Sequence, residues 1–273
     1  MKKSEINYKK IPYPPALADL SHTVDEAAFL SARVAVLSET VTRGGVGTLS
    51  EKSLHKILKL YIEPNAGNHE VAYLGMIADV KNEGGVYEIQ TRSYNRLAPK
   101  LGKMLPNGRV TVVCPLTFNK TVRWIDCESG EIGKVNKGTK HENIYDATFN
   151  LFGIREHLQN ENLSIMLVFL EAEEYRALDG WDRTKKRGSN RVERIPTKIL
   201  DTLLISDCKR FSDFIPEGLP DTFVASEFSR AIGRTSRFTY YVLKALVAAG
   251  ALCECGKRGR AVIYSRTDSL STN

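Results

Sequence analysis

Four side chains between residues 51 and 90 have the chemical types needed to hold a metal ion: Glu51, Asp79, Glu88 and Gln90. Glu88 and Gln90 are two positions apart on a predicted strand, so their side chains are expected on one face. Carboxylate oxygens are the ligands that Mg²⁺ prefers, and a metal-bound water is the nucleophile of many phosphodiester hydrolyses. The sequence therefore predicts a Mg²⁺ or Mn²⁺ site. Asp79 and Glu88 are the predicted direct ligands, Glu51 is predicted to bind through water or a second metal, and Gln90 is predicted to orient the attacking water.

Helix and strand patterns alternate around these residues. Apolar residues at three- and four-residue spacing predict the first helix, which carries Glu51, and alternating or apolar runs predict the strands. The predicted elements are a helix over 49–62, a strand over 71–80, a glycine turn at 83–85, a strand over 86–91, a helix over 93–105 and a strand over 109–115. This order is expected to bring the four side chains toward one point.

Over these elements the chain resembles the PD-(D/E)xK nuclease superfamily, which has the restriction-endonuclease-like fold. The family motif is a helical Glu, an Asp on the second strand, and Glu-x-Lys on the third strand, followed by a helix and a fourth strand. Glu51, Asp79 and Glu88-Ile89-Gln90 match in order, with Gln90 in place of the lysine. The resemblance implies catalytic roles for these residues, a Mg²⁺ or Mn²⁺ cofactor and cleavage of double-stranded DNA.

Simpler interpretations of the acidic residues remain open. Each carboxylate taken alone fits a surface acid, and Glu51 fits a helix N-terminus, where the macrodipole favours negative charge. His69 and Glu70 form a rival polar pair. Because Gln90 has no positive charge, the domain could also be a degenerate nuclease kept for dimerisation or ligand sensing.

The 273 residues allow two domains, and 42% hydrophobic residues is ordinary for a globular protein. No apolar run has the length of a membrane span, and the N-terminus lacks the apolar region of a signal peptide. Five cysteines, an odd number at irregular positions, fit a reducing compartment. These features predict a cytoplasmic protein without a membrane partner. Cys253 and Cys255 lack the second pair that a zinc site needs.

The chain is basic, with a net charge of +7 and a pI near 9.1, which favours a polyanionic partner. Basic residues concentrate in a predicted loop over 181–194, where phosphate contacts are expected from Arg183, Lys185, Lys186 and Arg187. A solvated hairpin tip is the alternative for this loop.

The remaining sequence predicts an N-terminal arm (1–23), an α/β domain (24–205) and a C-terminal domain (206–273). The α/β fold class rests on a mixed central sheet flanked by helices, for which the further predicted elements are a helix over 24–41, a hairpin of 121–126 with 133–137, a helix over 144–158 and a buried strand over 163–171.

The C-terminal domain resembles the winged helix-turn-helix fold. Its predicted elements are a helix over 222–232, a break at Gly233, a helix over 235–249, and two strands joined by a basic turn over 256–260. In such domains the second helix enters the major groove and the wing contacts the backbone. The expected DNA contacts are Arg234, Ser236, Arg237, Tyr240, Lys244, Lys257, Arg258 and Arg260.

Together these features predict a metal-dependent DNA endonuclease targeted by a winged helix, acting as a homodimer or with a partner subunit. One alternative is a non-catalytic DNA-binding regulator with a degenerate nuclease-like domain, and another is a nuclease directed at RNA. Winged helices also serve as protein–protein modules, so the fold alone does not decide between these functions.

Overall fold

The structure, a computed structural model, describes residues 21–42, 52–126, 131–178 and 190–267. Its strands are, in chain order, β1 (Ser21–His22), β2 (His69–Tyr73), β3 (Met76–Asn82), β4 (Gly85–Ile89), β5 (Val110–Asp126), β6 (Asn136–Lys137), β7 (Leu163–Leu178), β8 (Asn190–Ile205), β9 (Thr222–Val224), β10 (Leu252–Arg258) and β11 (Ala261–Arg266). Its α-helices are α1 (Glu26–Thr42), α2 (Ser53–Ile62), α3 (Ala98–Met104), α4 (Ile144–Leu151), α5 (Ala225–Ile232) and α6 (Ser236–Ala248).

A mixed sheet forms the centre of the molecule, in the strand order β1-β8-β7-β5-β4-β3-β2, with β6 paired beside this path to β5. β4, β5 and β7 run parallel, and the other neighbouring pairs are antiparallel. Parallel strands need apolar cover on both faces. One cluster of buried side chains joins α1 and α2 to the sheet, and a second joins α3 and α4 to it. The predicted α/β class, a mixed sheet flanked by helices, is confirmed.

Local sequence signals explain where several helices begin. α4 has a reciprocal cap: Tyr145 N–H donates to Asn143 Oδ1 over 2.9 Å, and Asn143 N–H donates to Asp146 Oδ2 over 3.1 Å. The helix predicted over 144–158 is confirmed only in its first half, because the chain tightens into 3₁₀ turns from Phe152 to His157. The helix predicted over 49–62 corresponds to α2, which begins at Ser53 after the extended residue Lys52. Residues 49–51 lie outside the described residues.

The prediction of one strand over 71–80 is wrong. A turn divides this run into β2 and β3, with φ +52° at Leu74 and +75° at Gly75. Both central residues of this hairpin turn need positive φ, and an apolar leucine at one of them concealed the turn in the sequence pattern. Asp79 therefore lies on β3, between two antiparallel neighbours.

The predicted basic loop over 181–194 is also partly wrong. From Asn190 onward the chain forms β8, which pairs antiparallel with β7 along its length. Arg191 and Arg194 consequently lie on a strand, where their positions are fixed by the ladder. The four predicted phosphate contacts, Arg183, Lys185, Lys186 and Arg187, lie outside the described residues.

The C-terminal part contains α5, α6 and a small antiparallel sheet in the order β10-β11-β9. The helix predicted over 222–232 is wrong at its start, because Thr222–Val224 is strand β9. Val224 N–H donates to Glu227 Oε2 over 2.8 Å, and α5 begins at the next residue. The helix predicted over 235–249 is confirmed as α6.

α6 packs against α4 of the main sheet. The rings of Phe149 and Phe238 are stacked with centroids 4.8 Å apart, and Tyr241 meets Phe149 edge-on at 5.2 Å. Arg234 Nη2 lies 2.7 Å from Asp146 Oδ2. Buried side chains of the two parts thus form one continuous cluster. No helix in the described ranges is long and apolar enough to cross a membrane.

Candidate functional site

Asp79 is held between a strand and a helix. Its Oδ2 accepts a hydrogen bond from Ile89 N–H over 2.7 Å and lies 3.0 Å from Nε2 of His55, which projects from α2. Burial would raise the pKa of this carboxyl, but the hydrogen bond and charge of His55 and the Ile89 amide together lower its pKa below the ordinary value. Asp79 is therefore ionised and fixed in orientation.

Glu88 lies on the neighbouring strand and is buried, with 3% of its surface exposed. Its Oε2 accepts a hydrogen bond from Lys100 Nζ over 2.6 Å, and its Oε1 has no hydrogen-bond partner among the residues described. Burial and the negative charge of Asp79 raise the pKa of Glu88 to about 7 in spite of Lys100. Glu88 is consequently harder to ionise than an exposed glutamate, whereas Asp79 is easier to ionise than an exposed aspartate.

The structure describes only one of the other two predicted catalytic residues. Glu51 lies outside the described residues. Gln90 follows the end of β4, and its Nε2 donates to the backbone carbonyl of Arg92. The side-chain amide of Gln90 is thus engaged by the following loop, and the shared strand face with Glu88 stays a prediction. Lys100, from α3, supplies the ammonium group beside Glu88 that Gln90 cannot.

A cavity of about 700 Å³ opens beside Asp79. The charged residues of its wall are three acids, Asp79, Glu70 and Glu193, and four basic residues, Lys52, Arg92, Arg191 and Arg194, with His55 beside Asp79. Glu88 is not part of this wall. The cavity therefore brings carboxylates and cations together, a combination that suits a metal ion and an anionic ligand.

The acidic residues fit a divalent cation in part. No three His, Cys, Asp or Glu side chains converge to hold an ion within the described segments. Asp79 and Glu88 nevertheless form a two-carboxylate set that includes an unpartnered buried oxygen. Mg²⁺ usually takes one or two protein carboxylates and keeps several waters, so this set fits it.

Buried ion pairs fix the basic wall. Glu174 is fully buried, with Arg194 Nη2 3.0 Å and Lys120 Nζ 3.9 Å from its Oε2, and Arg176 Nε donating to its Oε1 over 2.6 Å. Burial would raise the pKa of Glu174, but these cations lower it. Arg194 Nη1 also donates to Thr117 over 3.1 Å. The guanidinium of Arg194 thus forms its hydrogen bonds and ion pair with residues of the protein itself.

β8 also positions the start of α2. Glu193 Oε1 accepts the N–H of Ser53, the first residue of the helix, over 3.3 Å. Lys52 Nζ donates to the carbonyl of Val192 over 2.7 Å. A carboxylate at a helix N-terminus is favoured by the helix dipole. These contacts join the two elements that carry His55 and Arg191.

A second cavity, of about 340 Å³, lies beside the first, toward α6. The two share Leu54, Thr91 and Arg194 in their walls, and the second reaches Phe238 in the first turn of α6. The two cavities are therefore neighbours between Asp79 and the start of the C-terminal helix.

The predicted DNA contacts on α6 differ in availability. Ser236, Arg237 and Tyr240 are exposed. Arg234 is paired with α4, as described above, and Lys244 Nζ lies 2.6 Å from Glu254 Oε1. The available polar face of α6 is consequently smaller than the sequence predicted.

The predicted contacts on the β10–β11 hairpin are all exposed: Lys257, Arg258 and Arg260. Arg258 Nη1 lies 3.1 Å from Glu227 Oε1 at the start of α5. The hairpin tip therefore presents positive charge to solvent at the end of the small sheet.

Sequence reasoning missed His55, Lys100, Arg92 and Arg191. His55 follows Glu51 by four residues in the predicted helix, a spacing that places both on one face, and this signal was available. The other three depend on how α3, β8 and the loop after β4 pack, and no local pattern indicates that.

The fold and the site define an α/β protein with two neighbouring carboxylates, of which Glu88 is buried and Asp79 lines a cavity with a charged wall. The chain belongs to the family described as a domain of unknown function (DUF8091), whose model matches residues 52–206, from the residue before α2 to just past β8. An uncharacterized protein of Treponema pallidum (strain Nichols) is 26% identical over 222 residues, covering 81% of this chain and 87% of that protein. No solved structure matches the chain.

Proposed function

We propose that this protein is a metal-dependent DNA endonuclease. The observation that carries the proposal is the pair Asp79 and Glu88, on adjacent strands, with an unpartnered buried oxygen on Glu88. The order α2, β2, β3, β4, α3, β5, with β4 and β5 parallel, matches the restriction-endonuclease-like core that the sequence resembles. Asp79 stands on the second strand of that order and Glu88 on the third.

In this proposal Asp79 and Glu88 hold Mg²⁺ or Mn²⁺, and when bound the cation supplies an activated water and stabilises the charge that develops on the phosphate. His55 and the Ile89 amide fix the orientation of the Asp79 carboxylate. Lys100 keeps the Glu88 carboxylate in place and partly neutralises it. The basic wall of the cavity attracts the anionic DNA strand.

The C-terminal part is proposed to place the enzyme on double-stranded DNA. The succession α5, α6, β10, β11, with β9 completing the sheet, has the order of a winged helix. Arg237 and Tyr240 are the exposed side chains of α6 offered to the major groove, and the hairpin tip is offered to the phosphates. The domain boundaries at 23/24 and 205/206 and a dimer or partner subunit remain parts of this proposal.

The test is cleavage of supercoiled plasmid by the purified full chain in Mn²⁺ or Mg²⁺. Asp79→Asn and Glu88→Gln keep side-chain shape and remove the charge, and Glu217→Gln, at an exposed position outside the cavity, is the matched control. Nicked or linear product is expected from the parent and from the control, and not from the two site variants. Equal cleavage by all four proteins would mean that a contaminant cuts, and no cleavage with any metal would count against the nuclease.

A second candidate function is a non-catalytic DNA-binding protein. It is favoured by the contact of Gln90 with the Arg92 carbonyl and by the fact that His55 and Lys100 already pair with the two carboxylates. Thermal unfolding in EDTA and in Mn²⁺ separates the two candidates. A melting temperature raised by Mn²⁺ in the parent but not in Glu88→Gln supports the nuclease, and an unchanged melting temperature supports the binder.

A further inference from the structure

Two arginines on the cavity wall have charges that no ion pair within the described residues neutralises. Arg92, in the loop after β4, and Arg191, at the start of β8, both line the cavity and are exposed. Neither side chain forms an ion pair with any residue in the described part of the chain. Arg194 beside them differs, because Glu174 and Thr117 engage its guanidinium.

Arg191 lies close to other positive charges, in a cavity wall that also contains Glu70 and Glu193. Partial burial of its side chain, and after it the positive charges of Arg194, Arg92 and Arg176, lower the pKa of Arg191, and the charge of Glu174 opposes them. Like charges held close together repel, and an anion bound between them would remove that repulsion. Planar guanidinium groups match phosphate oxygens in paired hydrogen bonds, which makes two arginines a suitable clamp for one phosphate.

The position of the two arginines fixes what kind of anion fits. Arg92 follows Glu88 by four residues, and both arginines share the cavity with Asp79. A neighbouring cavity shares Arg194 with it and reaches toward α6, with Lys140 beside the acidic Glu142 and Asp146 in its wall. An elongated anion with repeated phosphates can reach beyond the two arginines toward this second cavity, whereas a single small anion would contact the arginines alone.

We propose that Arg92 and Arg191 together bind one phosphate of a DNA strand, next to the phosphate at the Asp79–Glu88 pair. This inference rests on the proposed function for the identity of the strand. It goes beyond that function by assigning a binding site that involves neither the metal ligands nor the C-terminal helix. The arginine clamp, as we call Arg92 and Arg191, holds the strand and leaves the chemistry to the carboxylates.

The test is the salt dependence of DNA binding, measured by fluorescence anisotropy of a labelled duplex and a labelled single strand, with the full chain in EDTA. A plot of log K against log salt has a negative slope. Each lost phosphate contact makes this slope less steep, by about 0.9 for duplex DNA and about 0.7 for single strands. Because both arginines hold one phosphate, Arg92→Gln, Arg191→Gln and the double variant are all expected to lose one such step, with affinity reduced about tenfold. The Lys variants keep the charge and are expected to retain most of the slope.

Arg109→Gln is the matched control, because Arg109 is exposed and precedes β5 at the opposite end of the parallel pair β4–β5. An unchanged slope in the double variant, or the same loss in Arg109→Gln, would overturn the clamp. Should Arg191→Gln fail to fold, as monitored by circular dichroism, Arg92→Gln alone decides the question.

Competition with inorganic phosphate separates a strand site from a free-phosphate site. If the variants lose phosphate binding while their affinity for DNA is unchanged, the clamp serves a free anion and the proposal is wrong. Because EDTA prevents metal-dependent cleavage, the outcome is independent of the plasmid assay. If the variants change the salt dependence of DNA binding but the parent does not cleave plasmid, the arginine clamp is supported and the nuclease proposal is not. If the parent cleaves plasmid but the variants bind DNA with unchanged salt dependence, the nuclease proposal is supported and the clamp is wrong.

Discussion

Replacing Glu88 by glutamine is expected to stabilise the metal-free protein at pH 8. The glutamate is buried, and its pKa is raised to about 7 because burial and the charge of Asp79 outweigh the contact with Lys100. Against the ordinary value of 4.5, this difference corresponds to about 3 kcal/mol of folding free energy lost when Glu88 ionises. Glutamine has nearly the same shape and carries no charge to desolvate.

The sign of the pH dependence follows from the direction of the shift. The folded state holds the Glu88 proton more tightly than the unfolded state, so folding takes up a proton between pH 4.5 and about 7. The contribution of Glu88 to stability is therefore most favourable below pH 4.5, falls as the pH rises toward about 7, and stays low above it. The Glu88→Gln variant lacks this fall.

The assay is urea unfolding of parent and variant in EDTA, followed by circular dichroism at pH 5 and pH 8. The variant is expected to be more stable at pH 8 by up to about 3 kcal/mol, with a much smaller difference at pH 5. Glu174→Gln is the contrasting control, because Glu174 has a lowered pKa and its loss leaves buried cations unpaired, at a cost of about 3 to 5 kcal/mol. If Glu88→Gln also destabilises the protein at pH 8, the Lys100 contact is a structural ion pair and the reasoning is refuted.

Three further predictions concern other parts of the molecule. A Cβ at Gly153 would lie 2.6 Å from a backbone nitrogen, so Gly153→Ala is expected to cost about 1 to 3 kcal/mol by urea unfolding. A Cβ at Gly102 in α3 would make only an ordinary contact, 3.7 Å from His157 Cε1, so Gly102→Ala is expected to gain about 0.5 to 1 kcal/mol. Arg234→Ala removes the ion pair with α4 and is expected to cost about 1 to 2 kcal/mol; no change in unfolding free energy would mean that this pair does not couple α6 to α4. Burial raises the pKa of the Cys114 thiol to about 12, so mass spectrometry after iodoacetamide treatment is expected to show modified Cys255, which is exposed, and unmodified Cys114 until the protein unfolds.

The sequence by itself determined the α/β order and the neighbouring placement of Asp79 and Glu88. These two residues are close along the chain and lie on strands joined by a glycine turn, so a local hairpin is enough to bring them together. Val80 pairs with Tyr87, and Asp79 and Glu88 are the next residues along the two strands. The periodicity of α6 was likewise sufficient, because that helix buries one apolar stripe. In α1 the pattern predicted a helix but not its buried face, since Leu30 and Val34 are exposed and Phe29 and Val36 are buried.

Only the tertiary structure decided what surrounds the two carboxylates. His55 reaches Asp79 from α2, and Lys100 reaches Glu88 from α3, and these helices pack on opposite faces of the sheet. No local sequence pattern indicates which residue a side chain on a packed helix will contact. Gln90 shows the same limit, since no local pattern indicates that its side-chain amide donates to a backbone carbonyl two residues later.

The basic wall shows most clearly what the sequence could not determine. Arg191 belonged to a charged run whose pattern indicated a loop, but pairing with β7 makes it part of a strand and brings it into one cavity with Arg92, far away in sequence. Strand pairing over such separations depends on the complete sheet and not on local propensity, because burial against neighbouring strands decides which strands pair. The chain therefore specified its acidic pair locally, and the folded sheet assembled the cations around that pair.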